Sequence, residues 1–381
     1  MELKRRVSDA FEERFGGRPD FVVRAPGRVN LIGEHTDYND GFCLPMAIDR
    51  ATWIALRPRE GAVAVHARDM DDALTFALDA LPREGAQWGR YVTGVAWALQ
   101  ENGYTLSGWE GVLSGNVPIG SGLSSSAALE MAVARAFVAV SGFAWEPTRM
   151  AQMAQQAENH WLGLKSGIMD QLISANGQAD HALLMDCRSL ALTPVPLPAG
   201  TVIVVMDTRT PRDLIHSAYN ERRAECERAA EVLGVAALRD AGSAELVRAA
   251  GKLDDTSFRR ARHVISENER TLAAAEAMRA GDAGELGRLM NASHDSLRHD
   301  YEVTSDTLNA MVESARRQPG CLGARMTGAG FGGCAIALVG AAVVGPFMAA
   351  VSGEYARRTG LTPDLFVAQP SAGASLVEPA A

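Results

Sequence analysis

The sequence predicts an α+β fold in two lobes, and three observations carry that expectation. With 381 residues the chain exceeds the roughly 250–300 residues over which a single hydrophobic core usually grows. Strand-like and helix-like segments alternate without a regular βαβ period or an internal repeat, which argues against a doubly wound sheet or a solenoid. Pro194, Pro196 and Pro198 punctuate the middle of the chain just before Thr201–Met206, its clearest strand. The boundary is placed there, giving lobes over 1–195 and 196–381.

Taken in order, Ser8–Phe15 reads as a short charged helix. Phe21–Arg24 and Thr52–Leu56 are β-branched and aromatic runs bounded by Gly and Pro, the mark of strands. Between them lies a dense polar loop, Gly27 to Asn39. Gly111–Val117 reads as a further strand, followed by a Gly/Ser loop and the run Ala127–Val140. Only Glu130 and Arg135 interrupt that run, so it predicts a buried helix. After Thr201–Met206 come amphipathic helices over about Asp213–Leu233, Ser257–Arg279 and Asp282–Ser296. A Gly-rich loop at 328–333 and the strand Cys334–Val339 follow.

Composition excludes several classes of function. Apolar residues make up 47% and charged residues 22%, an ordinary globular balance. The net charge is −9 and the basic pairs, such as Arg222-Arg223 and Arg316-Arg317, sit in mixed-charge surroundings. A nucleic-acid partner would need a basic face, and none shows. Cys43, Cys187, Cys226, Cys321 and Cys334 are scattered without zinc-type spacing, which reads as reduced core thiols. The N-terminus lacks the apolar region of a secretory signal, and no apolar run reaches the roughly 18 residues of a membrane span. A cytoplasmic protein with no membrane partner is expected.

Four segments carry chemistry. Gly120-Ser121-Gly122-Leu123-Ser124-Ser125-Ser126 precedes the buried helix. Small residues let backbone N–H groups converge there, and the helix turns its positive end toward the same concavity, which suits a phosphate. It is not the Walker pattern, because no Lys-Ser/Thr closes it, and a serine-capped turn would read the same way. The loop from Gly27 packs Arg28, Asn30, Glu34, His35, Asp37 and Asn39 closely together. Such directional groups suit a polyhydroxylated ligand, whereas a solvated loop would be richer in Lys and Ser and would lack Leu31-Ile32. Asp170 is a lone carboxylate in Gly167-Ile168-Met169-Asp170-Gln171-Leu172-Ile173, and Glu158 lies upstream on a helix-like stretch. Purposeful acids favour such settings, although a helix N-cap for Asp170 and a solvated face for Glu158 stay open. The fourth segment, Gly328-Ala329-Gly330-Phe331-Gly332-Gly333, permits close backbone approach, as a tight bulge also would.

In this order the segments resemble the motifs of the galactokinase branch of the GHMP small-molecule kinases. The run Gly27–Gly41 is similar to the galactokinase signature, Gly120–Ala128 to the family's phosphate loop and Gly328–Cys334 to its third motif. Ala182–Leu190 and Tyr301-Glu302-Val303 add to the likeness, which spans Arg24 to about Gly333. The resemblance implies an N-terminal lobe with a mixed sheet and a C-terminal lobe of antiparallel strands backed by helices. Its active site lies in the cleft between them. It further implies that Asp170 is the catalytic aspartate and Arg28 the cation beside it. Glu34, His35, Thr36, Asp37, Gly167 and Tyr219 would meet the sugar. Gly120, Ser121, Gly122, Leu123, Ser124, Ser125 and Ser126 would bind the ATP phosphates, with Mg²⁺ on Ser126 and Glu158. Trp88 and Tyr91 are candidates for the adenine walls or for core packing. One departure stands out: where many relatives carry a proline, this chain reads Thr304-Ser305-Asp306, and Ser305 or Asp306 is expected to cap the next helix instead.

The implied activity is ATP-dependent phosphorylation of galactose at its anomeric hydroxyl, by a monomer in preference to an obligate oligomer. Arg28 would keep Asp170 ionised, and Asp170 would either take the hydroxyl proton late or chiefly orient it. A kinase for a related sugar such as N-acetylgalactosamine, or a sugar sensor without catalysis, are the competing expectations. A sensor would be favoured by a broken phosphate loop or a missing aspartate, and both are intact.

Overall fold

The computed structural model describes residues 2–210 and 215–377. Strands in the first part of the chain are β1 (Phe21–Asn30), β2 (Phe42–Cys43), β3 (Pro45–Pro58), β4 (Ala62–Ala67), β5 (Asp72–Ala77) and β6 (Trp109–Gly115). They are followed by β7 (His181–Asp186), β8 (Leu192–Pro196), β9 (Thr201–Asp207), β10 (Cys321–Met326), β11 (Cys334–Gly340), β12 (Asp364–Ala368) and β13 (Ser375–Val377). One sheet has the order β13-β1-β3-β6-β4-β5 and is mixed, since β4 and β6 run parallel while its other pairs are antiparallel. A second, β10-β11-β9-β12, is wholly antiparallel, and β2-β7-β8 forms a small third sheet. The expected α+β class and its two kinds of sheet are present. The last strand, β13, returns to pair with β1 through Val22↔Val377 and Arg24↔Ser375.

Core packing explains the strongest sequence signals. Side chains alternate across a strand, and β9 is interior to its sheet. Val204 and Met206 therefore enter one core with Val264, Leu308 and Met311, while Ile203 and Val205 enter another with Leu31, Ile32 and Leu44. A strand buried on both faces reads as an unbroken apolar run. The same packing accounts for Leu31-Ile32 in an otherwise polar loop: both are fully buried and tie the loop to the antiparallel sheet. The nearly uncharged run forms the Ser125–Ser141 helix, with Met131, Val133 and Phe137 buried over β1 and β3.

Several boundaries differ from the sequence reading. The first helix spans Glu2–Phe15, because Glu2 to Arg6 are good helix formers and Val7 and Phe11 anchor one face. The polar loop is shorter than expected, since Gly27–Asn30 belong to β1, and the strand read as Gly111–Val117 runs from Trp109 to Gly115. The helix read from Asp213 is described only as Ile215–Leu233; Asp213 and Leu214 lie outside the described residues. Ser305 caps the Asp306–Arg316 helix by accepting from Leu308 N (3.3 Å). Among the described residues no helix is long and apolar enough to cross a membrane.

Candidate active site

A cavity of about 1030 Å³ opens between the two large sheets. The strand β1 delivers its cation. Register shifts between Pro26 and Arg28, so Gly27 bulges out of the β1–β3 pairing, and a Cβ on Gly27 would lie 2.7 Å from the Leu123 carbonyl oxygen. Bulges re-aim side chains, and this one points Arg28 into the cavity. Arg28 Nε and Nη2 each donate over 2.8 Å to a different oxygen of Asp170, and Nη1 donates to the Gly122 carbonyl (2.5 Å). Asp170 sits in the first turn of the Met169–Asn176 helix, whose N-cap is Ile168, so it is not the cap. Its third donor is Ser124 Oγ, which reaches across to Asp170 Oδ2 instead of capping its own helix.

The glycine-rich loop has the geometry its composition suggests. Gly120 (φ 72°), Gly122 (φ 88°) and Ser124 (φ 59°) take left-handed conformations, and the Ser125–Ser141 helix starts directly after them. Such alternation turns N–H groups inward, and the helix end adds positive potential. Gly328–Gly333 backs this loop: a Cβ on Gly328 would meet the Gly122 carbonyl oxygen at 2.8 Å. Gly120, Ser121, Gly122, Ser124, Ser125 and Ser126 line the cavity. Leu123 does not, because its side chain is fully buried with Val29 and Val117.

On the other side stand Glu34, His35, Asp37, Gly167 and Tyr219, all lining the cavity. Gly167 has a steric reason to be glycine, since a Cβ there would lie 1.8 Å from Asp37 Oδ2. Burial, reinforced by the nearby charge of Asp170, pushes the Asp37 carboxyl up to about 6. Burial, with the nearby charge of Asp37, holds the Tyr219 hydroxyl well above the usual phenol range. Glu34 borders the cavity yet is only 1% exposed. It accepts from Asn30 Nδ2 (2.8 Å) and Gly328 N (2.8 Å), and its Oε2 pairs with Arg325 Nη1 at 2.5 Å. Burial pushes Glu34 up to about 7 against the pull of Arg325. Thr36 does not line the cavity; it is fully buried and donates to the Phe42 carbonyl (2.8 Å), bracing the loop.

Glu158 lies in the π-helical turn Ala157–Leu162 and lines the same cavity as Ser126. Burial raises its carboxyl to about 7, with Asp170 adding to the rise, while donation from Ser166, Gln171 and Ser126 opposes it. A buried acid with hydroxyl neighbours is a hard-oxygen site short of positive charge, which fits a magnesium-sized cation. Among the described residues no group of three or more His, Cys, Asp or Glu could hold a metal. A cation there would complete its shell with substrate and water oxygens. Trp88 and Tyr91 both line the cavity and belong to the adjoining core. Sequence reasoning missed Ser166, Gln171 and Arg325. Ser166 stands one residue before Gly167, a readable hint, whereas nothing local marks Arg325 as the partner of Glu34.

Comparison with known proteins adds three matches: the galactokinase galactose-binding signature over residues 9–58, the GHMP kinase N-terminal domain over 90–178 and the GHMP kinase C-terminal region over 274–350. The chain is 46% identical to a galactokinase of Roseiflexus sp. (strain RS-1) over 377 residues, covering 97% of this chain and 96% of that protein. It is 48% identical to the galactokinase of Chloroflexus aggregans over 378 residues, with the same coverage. The structure of Lactococcus lactis galactokinase complexed with galactose superposes with a TM-score of 0.94 at 37% identity, covering 98% of this chain and all of that one. Mevalonate kinase of Methanococcus jannaschii (TM-score 0.66, 18% identity, 92% of this chain and 98% of that one) shares the fold.

Proposed function

The chain belongs to the galactokinase family of GHMP kinases, and we propose on that premise that it moves the γ-phosphoryl group of ATP to the C1 hydroxyl of α-D-galactose, giving galactose 1-phosphate and ADP. The observation that carries the reading is the placement of Asp170. Its carboxylate is gripped by Arg28 and Ser124 beside the glycine-rich loop and shares one cavity with Asp37 and Tyr219.

Phosphoryl transfer passes through a loose transition state, so the protein mainly positions groups and neutralises charge. In this reading the N–H groups of the 120–126 loop and the following helix end hold the phosphates. Asp170 accepts a hydrogen bond from the attacking hydroxyl and takes its proton late, as the new O–P bond makes that hydroxyl acidic. Arg28, fixed between Asp170 and the Gly122 carbonyl, links the acceptor site to the phosphate loop. Asp37 and Tyr219 meet ring hydroxyls, with Glu34 and His35 behind them. Ser126 and Glu158 would hold Mg²⁺, which when bound supplies positive charge to the phosphate oxygens. Residues 1–195 form the lobe with the sugar signature and phosphate loop, and 196–381 the second lobe, with β13 returning to the first. A cytoplasmic monomer is the working form this reading expects.

ATP consumption across a sugar panel, with the phosphate position read by NMR, tests the proposal. Galactose should far outpace glucose, because a carboxylate placed for one hydroxyl configuration is left unpaired by its epimer. Equal kcat/KM for the two sugars, or preference for N-acetylgalactosamine, would overturn it; sugar binding without turnover would leave a sensor.

A further inference from the structure

His35 has a use for each ring nitrogen. Nδ1 lies 2.9 Å from the Tyr38 hydroxyl, and Nε2 lies 3.2 Å from the carbonyl oxygen of Ala329. A carbonyl only accepts, so the proton must be on Nε2. Burial holds the imidazolium down at about 3, helped by the nearby charges of His263, Arg222 and Arg325, so the ring is neutral. Nδ1 is then a lone-pair acceptor, and the Tyr38 hydroxyl must donate to it. Having spent its proton, Tyr38 must accept from Tyr301 (2.7 Å), and Tyr301 in turn from the thiol of Cys226 (3.1 Å). One backbone carbonyl thereby sets the direction of four hydrogen bonds.

Tyr38, Tyr301 and Cys226 do not line the cavity, whereas His35 does. Tyr301 also packs its ring 4.7 Å from that of His35. We propose that Tyr38 and Tyr301 are positioning residues that hold His35 as the neutral Nε2–H tautomer and so fix the imidazole in the acceptor half of the cavity. The chain begins on the Ile215–Leu233 helix, passes Tyr301 beyond the Ala283–His299 helix and ends on the Gly328–Gly333 loop. The order of the signature loop is therefore set by the C-terminal half of the molecule.

The kinetic part of this inference rests on the galactokinase reading; the tautomer part does not. Long-range ¹H–¹⁵N correlation of ¹⁵N-histidine-labelled protein, without sugar, reports which nitrogen of His35 carries the proton. The wild-type protein should show Nε2–H. Tyr38→Phe should shift the Nδ1 resonance toward that of a nitrogen without a donor. It should also raise KM for galactose about tenfold, the size of one lost hydrogen bond, with KM for ATP unchanged. Tyr301→Phe should give a smaller shift in the same direction, and Cys226→Ser, which keeps a donor, should match wild type in both readouts. A proton on Nδ1 in the wild-type protein, or an unmoved Nδ1 resonance in Tyr38→Phe, overturns the inference. Absence of galactose phosphorylation with the expected tautomer would sink the galactokinase reading instead.

Discussion

Arg28 and Asp170 meet as a two-pronged ion pair, with Nε and Nη2 of the guanidinium each 2.8 Å from a separate carboxylate oxygen. The two side chains come from β1 and the Met169–Asn176 helix. The fork geometry fixes the plane of the carboxylate as well as its position.

The pair should behave as one unit in catalysis. Asp170→Asn keeps the size but loses the charge and the proton acceptor, so kcat should fall by about 10²–10⁴-fold, the usual worth of a positioned acid–base group. Arg28→Ala should also lower kcat, and the double variant should lose less than the product of the two effects. Both single variants should remain folded. Retention by Asp170→Asn of more than about a tenth of wild-type kcat, well outside that range, would make Asp170 structural.

At the phosphate end, Glu158→Gln should raise KM for MgATP and leave KM for galactose nearly unchanged, because the residue stands beside Ser126 and away from Asp37. Excess EDTA should abolish turnover. Steady-state kinetics with each substrate varied separately provides the check, and full activity in EDTA would remove the metal from the scheme.

Asp37 should give sugar binding a pH dependence. Its carboxyl is raised from 3.8 to about 6, so between those two values the protein without sugar holds a proton there that the unfolded chain has already lost. This group's contribution to stability is fully present below about pH 3.8 and disappears as pH rises through about 6. Galactose hydroxyls need the ionised acceptor, so affinity should weaken as pH falls through about 6, and Asp37→Asn should flatten that inflection. Gly167→Ala should imitate the loss at every pH by driving the carboxylate from its place. Calorimetric titration from pH 5 to 8 tests both, and a wild-type affinity independent of pH would contradict the assignment.

Arg325 should matter for stability out of proportion to its distance from the reacting atoms. It is fully buried, pairs with Glu34, donates to the carbonyls of Asn30 and Leu31, and reaches Ser293 Oγ (3.0 Å). Arg325→Met leaves the buried Glu34 without its cation, and Glu267, 3.7 Å from Arg325, with Arg270 alone; breaking a buried pair typically costs about 3–5 kcal/mol. Denaturant unfolding should show that loss, and Arg325→Lys should recover only part of it, since a point charge cannot serve four partners at once. A loss below about 1 kcal/mol would place the pair among weak, solvent-screened bridges.

What the sequence determined by itself was everything that rests on local chemistry. The glycine and serine run before an uncharged helix, the unbroken apolar strand at Thr201–Met206 and the lone acid Asp170 each bear their reason within a few neighbouring residues. Backbone freedom, period and burial preference act at that range. Tertiary structure alone decided which distant groups meet. Arg325 reads as one arginine among many, and Tyr301 and Gly167 stand out in the sequence only through the family resemblance. Their roles exist only where β10 crosses the end of β1, where the Tyr301 segment stands against His35, and where Asp37 fills the space a Cβ would need. Such pairings come from the packing of both sheets around a shared core, and packing depends on shapes that no short stretch of sequence contains.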